Sequence, residues 1–399
     1  MGSAVPFVNL NSRSQNMSST LRIQSRARCP LVLPAVLILG FVLARGAVCQ
    51  TAAERPNDLI AQASAARMQN DIPRAIQLYS EAVQRNPNWP DGWWFLGSLE
   101  YGTGAYVPAG TALSHYVAMV PTAGPAFALR GLCEFETNQY PQALADIQHG
   151  LALGAANQSR NEQILRYHEG MLQTRLGDYE SALRTYAFFS KNGIMNPELL
   201  VAIGLAGLRI PMLPKDTAAD QQPLLSAAGQ AAYTFLAGDE NAASQSFQNL
   251  FQAFPNAPNA HFLYGYLLFA TDPDSALEQF VQELQVAPSN VDADVMAAWA
   301  LLLRNHAAEA LPYARAATSA KPRLPSAQLV LGKALMETGA LDEGMGHLKT
   351  ALQLEPNNLE THLALAKAYS KSGESEDARR ERILCLQLTR TNGNSVEHP

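Results

Sequence analysis

Apolar and polar positions along the chain follow a helical period, not the strict alternation of strands. Ala75, Tyr79 and Ala82 stand four and three residues apart, as do Ala310, Ala314 and Ala317. That spacing places each trio on one face of a helix. Five residues after each trio comes a proline, which cannot continue a helix and so marks its end. Such prolines recur at Pro87, Pro121, Pro255, Pro288, Pro322 and Pro356, with adjacent spacings of 34, 33, 34 and 34 within the two runs. Twelve residues before the first small residue of a trio stands another: Ala63, Gly97, Gly131, Gly170, Ala231, Ala298, Gly332 and Ala366. A small side chain there lets two helices of a pair approach closely. The pattern predicts a tandem array of helix pairs, which bury both faces only if neighbours stack.

The register runs 56–89, 90–123, 124–157, 163–196, 224–257, 258–290, 291–324 and 325–358, with a partial repeat from 359. The sixth repeat is one residue short, at its Asp272-Pro273-Asp274 turn. The organisation expected is therefore an N-terminal group of repeats over 56–196, a break over 197–223, and a C-terminal group over 224–391. Within the break, Pro197 suits a first helical position. Leu200, Ile203 and Gly204 match the first helix of a repeat. Pro211, Pro214 and Pro223 then exclude a helix, so the second helix is expected to be replaced by an extended loop. A plain linker, a hinge and an apolar arm are all compatible with that stretch. The last helix, with Arg379, Arg380, Glu381 and Arg382, is expected to cap the array with a wet face, ahead of a disordered tail over 392–399.

This phased series resembles the tetratricopeptide repeat family. The eighth repeat carries the likeness best, in Leu331-Gly332, Leu335, Gly339, Leu341, Leu348, Ala351 and Pro356. The second supplies Trp93-x-x-Leu96-Gly97, and the fourth Gly170, Gly177-Asp178-Tyr179, Ala182 and Tyr186. The resemblance implies an all-α, right-handed superhelical solenoid of antiparallel helix pairs. It also implies a partner-binding groove lined by first-helix residues at repeat positions five, nine and twelve. Those positions hold Trp94 and Tyr101 in the second repeat, Phe135 in the third, Tyr167 in the fourth and Phe235 in the fifth. The sixth repeat fills all three with Phe262, Tyr266 and Phe269; Trp299 follows in the seventh, then Lys333 and Lys367. Other repeats place Ser64, Ala128 and Ala228 there, so the sixth is expected to form the centre of the groove. Packing as core between repeats is the competing role for the same rings. The Asn, Lys and Arg set of the family's carboxylate-clamp subclass is not reproduced, so recognition of chaperone tails is not expected.

The first 49 residues differ from the rest. They hold Arg13, Arg22, Arg26, Arg28 and Arg45 and no acidic residue, followed by the apolar run 31–44 and a small-residue exit at Gly46-Ala47-Val48-Cys49. This order predicts a secretory signal peptide over 1–49, cut before Gln50, with Met1 or Met17 as the start. The protein is then periplasmic or secreted. Membrane attachment follows only if that segment is retained or Cys49 is lipidated. Loss of five arginines takes the net charge from −6 to −11. So acidic a chain lacks the electrostatic footprint for nucleic acid. Cys133 and Cys385 then remain, too far apart in an array to form a disulfide framework.

The sequence carries no reactive constellation. His168-Glu169 opens a zinc-protease pattern, but Leu172 stands where the second histidine belongs. Gly332-Lys333 lacks the other residues of a phosphate loop, with Ala327 and Ala334 at the required places. No catalytic residue, metal or cofactor is called for. The function expected is a non-enzymatic scaffold outside the cytoplasm that binds a protein or peptide partner in the concave groove; the alternative is a binding module for a glycan or other small or polymeric ligand through the aromatic groove.

Overall fold

The computed structural model describes residues 56–156 and 159–394, in two compact units divided after Glu162. The signal-peptide expectation lies outside the described residues. The first unit contains α1 (Pro56–Met68), α2 (Ile72–Arg85), α3 (Pro90–Gly102), α4 (Tyr106–Met119), α5 (Gly124–Glu136) and α6 (Tyr140–Ala152). Helix α7 (Ser159–Leu176) carries the chain into the second unit. There follow α8 (Tyr179–Lys191), α9 (Pro197–Gly207), α10 (Gln222–Leu236), α11 (Glu240–Ala253), α12 (Ala260–Leu268) and α13 (Pro273–Val286). The unit ends with α14 (Val291–Leu303), α15 (Ala307–Ala320), α16 (Pro325–Glu337), α17 (Leu341–Leu354), α18 (Leu359–Ser372) and α19 (Ser375–Asn394). Among the described residues there is no strand.

Local chemistry sets the helix boundaries. Asp71, Asp178, Asp239 and Asp272 cap α2, α8, α11 and α13 by accepting from the backbone N–H three residues on. All six phase-marking prolines fall in turns that follow a second helix. Several turns inside pairs pass through the left-handed region at a glycine or asparagine, such as Gly177, Gly339, Asn138 and Asn305.

The predicted faces are the packed ones. Ala75, Tyr79 and Ala82 are buried, as are Ala310, Ala314 and Ala317. The small first-helix residue faces the large one of its partner helix: a Cβ on Gly170 would lie 2.5 Å from the Tyr186 ring, and one on Gly332 2.8 Å from Leu348. Each fully buried large side chain of this kind contributes about 1.5–3 kcal/mol.

Two expectations are corrected. Helix α9 does have a helical mate, namely α10. Gly204 lies against the carbonyl of Leu225 and Gly229 against that of Leu200, so the two helices cross antiparallel. An added Cβ would stand 2.0 and 1.8 Å from those oxygens, an approach only glycine permits. The joining stretch contains a short 3-10 turn at Pro214–Asp216, and Leu213 beside it is buried. Ile210 and Met212 pack against the core of α8 to α12. The second correction concerns α19, which is helical through 392–394; residues 395–399 of the expected tail lie outside the described residues. Its inward face is Ala378 and Cys385, which leaves Ile383, Leu384 and Leu386 at 45%, 40% and 62% exposure.

Candidate interaction surface

In the first unit the ring at position five of the second repeat, Trp94, is half-buried and tilted against Tyr116 at 5.6 Å. Tyr101 meets Tyr106 edge-on at 5.6 Å, and burial pushes its hydroxyl pKa up. Phe135 is buried, with 6% exposure. A shallow polar pocket of about 230 Å³ lies beside these helices, lined among others by Tyr106, Ser114, Arg130, Cys133 and Glu134. Arg130 Nε donates to Asp146 Oδ2 at 2.5 Å and also stands 4.0 Å from Glu134. Glu100 and Glu134 each have a buried carboxylate oxygen with no hydrogen-bond partner. Burial pushes both carboxyls up to about 7. The Cys133 thiol is likewise pushed up to about 12 by burial, which makes it inert rather than nucleophilic.

In the second unit the sequence-derived centre of the groove is displaced. Phe262 is only 4% exposed and belongs to a core cluster with Ala276, Phe280, Ala293 and Ala297. Its ring sits 5.7 Å from Phe280. Phe135 and Phe262 are thus core residues, not the contact residues that their repeat positions imply. The reason is geometric: Phe262, in the first turn of α12, points to α13 and α14. Tyr167, Phe235, Tyr266, Phe269 and Trp299 are half-buried. Burial pushes the Tyr167 hydroxyl up to about 12.

The strongest feature was not among the sequence candidates. Arg209, just past the end of α9, pairs with Glu180 of α8 at 2.5 Å and with Asp292 of α14 at 3.2 Å. Its guanidinium carbon lies 4.8 Å from the Tyr179 ring and 5.0 Å from that of Phe262. Tyr266 closes the same small cavity. Of the five described non-glycine residues with positive φ, four are asparagines and the fifth is Arg209, at +58°. Next to it, Asn259 donates from Nδ2 to the Leu208 carbonyl at 3.0 Å and accepts from Asn290 at 2.9 Å. Fully buried Glu283 takes the Asn259 and Phe262 backbone N–H groups at 2.7 and 3.2 Å. The break is therefore stitched to α8, to Asn259 at the start of α12 and to α14 by polar contacts, with Glu283 of α13 holding Asn259 from behind. One signal was available in the sequence: Arg209 is the lone charge between Glu198 and Lys215.

A second pocket, of about 240 Å³, is lined by Trp299, Leu302, Leu303, Lys333, Glu337 and Lys367, among others. The Lys333 ammonium lies 4.3 Å over the Trp299 ring and is paired with Glu360. Lys367 and Lys371 both reach Glu337, at 2.5 and 3.3 Å. Among the described residues no group of His, Cys, Asp and Glu could hold a metal ion, and no helix is long and apolar enough to cross a membrane.

Paired helices with small residues opposite large ones and a phase near 34 residues define a helical-repeat protein. Models of the tetratricopeptide repeat match residues 60–124, 267–325 and 335–381, so the chain carries tetratricopeptide repeats. Its repeats support a role in protein–protein interaction. Comparison with curated proteins gave no match. Among solved structures, MamA 41-end from Desulfovibrio magneticus RS-1 is similar at 20% identity over 42% of this chain and 96% of that one, with a TM-score of 0.38. A structure described as a crystal structure of MamA is similar at 15% identity over 41% of this chain and 96% of that one, with a TM-score of 0.37.

Proposed function

We propose that the chain is a non-enzymatic scaffold that works outside the cytoplasm and holds a protein or peptide segment against its first helices. The observation that carries this reading is the pocket at Trp299. It combines an aromatic ring, the apolar Leu302 and Leu303, and the ion-paired Lys333, Lys367 and Glu337 on one face. A peptide segment offers apolar side chains to Leu302 and Leu303 and backbone hydrogen-bonding groups to the polar atoms around them. Glycan binding is less well served, because Lys333 already covers the ring face that a sugar would stack on. Export rests on the basic, apolar and small-residue order of the first 49 residues.

Site-specific photo-crosslinking in the native envelope tests the partner reading. A crosslinker at Leu303 should capture a defined polypeptide, and one at buried Phe262 should not. Equal capture at both positions, or capture of glycan alone at Leu303, would sink the proposal. For export, the mature protein should begin at Gln50; protein recovered with Met1 or Met17 at its terminus would contradict it.

A further inference from the structure

We propose that the outward face of α19 is a docking seam for an acidic amphipathic helix of a partner protein. This seam is separate from the ring-bearing face discussed above. Ala378 and Cys385 hold α19 against α18, with Glu381 accepting from His362 Nδ1 at 2.5 Å. On the opposite side Glu376, Arg379, Ile383, Leu386 and Arg390 follow one another at spacings of three, four, three and four. That is the spacing of a coiled-coil seam, and all five are exposed. Its centre is apolar, with Ile383 and Leu386 at 45% and 62% exposure.

The charges select the occupant. Arg380 is paired with Asp377, and Arg382 donates to Ser370. Arg379 and Arg390 lie on the seam itself, flank the apolar centre, and form no ion pair with any described residue. A second copy fits badly. Antiparallel self-packing in the usual layers sets Arg379 against the copy's Arg390, and parallel packing sets each arginine against itself. A membrane surface also fits badly, because the exposed apolar residues cover under two turns, whereas interfacial helices present a broad apolar face. A helix with two apolar residues between carboxylates about three turns apart satisfies both the apolar centre and the two arginines. In an interior repeat the equivalent face is covered by the next helix; among the described residues nothing covers it on α19.

The test uses the full chain and two labelled helical peptides of about 20 residues. One carries a leucine pair flanked by glutamates at the seam spacing, and the other has lysines in place of the glutamates. The acidic peptide should bind about tenfold or more tightly than the basic one by fluorescence anisotropy. Arg379→Glu with Arg390→Glu should reverse that preference, a result that misfolding cannot produce. Leu386→Asp should remove binding of either peptide while leaving the melting curve in place. Absent or indiscriminate peptide binding overturns the proposal. So does self-association in sedimentation that Leu386→Asp abolishes, or binding to phosphatidylglycerol vesicles that Leu386→Asp abolishes.

Discussion

Arg209 Nη1 meets Glu180 Oε1 at 2.5 Å across 29 positions of sequence, and the same guanidinium reaches Asp292. Repeat arrays ordinarily join only neighbours, yet this side chain ties α8 to α14. Two opposing effects act at the position. The contacts stabilise, while the left-handed backbone costs about 1 kcal/mol or more for a residue with a Cβ. Arg209→Ala should therefore lower stability by about 1.5–3 kcal/mol, the range for hydrogen bonds to charged groups. Arg209→Gly should lose less, since glycine relieves the backbone. Arg209→Lys should not restore the wild-type value, because an ammonium cannot span two carboxylates as the planar fork does. Urea denaturation of the three variants gives the order, and an alanine variant at least as stable as the glycine variant would contradict it.

Phe262 and Tyr266 separate core from surface on one helix. Phe262→Ala removes a ring packed on Phe280 and should cost about 3–5 kcal/mol. Tyr266 is half-buried, so Tyr266→Ala should cost clearly less in the same thermal or chemical melts. Equal losses would place Tyr266 in the core as well.

The α9–α10 crossing makes a sharper claim. Gly229→Ala and Gly204→Ala each drive a methyl into a carbonyl of the facing helix, at 1.8 and 2.0 Å. Backbone cannot yield as a side chain does, so each substitution should cost about 2–4 kcal/mol, at or beyond the usual overpacking penalty. Gly346→Ala is the control, because nothing stands within 4 Å of its added Cβ. There the change should be neutral or stabilising, as alanine favours helix.

Acidity should strengthen the first unit. Burial raises the carboxyls of Glu100 and Glu134 from 4.5 to about 7; nearby Asp146 raises Glu134 further, and Arg130 opposes it. Between those values the folded chain binds protons that the unfolded chain does not, so this contribution is present at low pH and lost as pH rises through 7. Glu100→Gln with Glu134→Gln should raise the melting temperature at pH 8 and flatten its dependence between pH 5 and 8. A double variant with the wild-type pH profile would show that neither carboxyl titrates there.

Much of the fold was legible because helix pairing writes itself into the sequence at short range. The Ala75, Tyr79 and Ala82 trio and the glycine at 332 are local patterns whose partners stand a fixed distance away. The site was less legible. Position five of a repeat is half-buried at Trp94 but packed away at Ala128, Val295 and Phe262, a difference that spacing does not carry. Phe262 turned inward on a nine-residue α12, a fact settled by three-dimensional packing and not by spacing. Arg209 escaped because its partners lie 29 and 83 positions away and belong to no motif. On α19 the helix was foreseen, but which of its two apolar faces would meet α18 depended on Cys385 rather than on the leucines beside it.

The antiparallel crossing at Gly204 and Gly229 also has a directional meaning. Both α9 and α10 carry residues of the first-helix type, with Gly204 and Ala231 at the same repeat position. Successive helices of one type ordinarily point their amide ends the same way, but these two point them in opposite senses. The dipole that an extended peptide meets on this type of helix therefore reverses sign between α9 and α10. A single strand with one fixed polarity cannot match both, so a continuous ligand should stop at this seam or cross it with a kink.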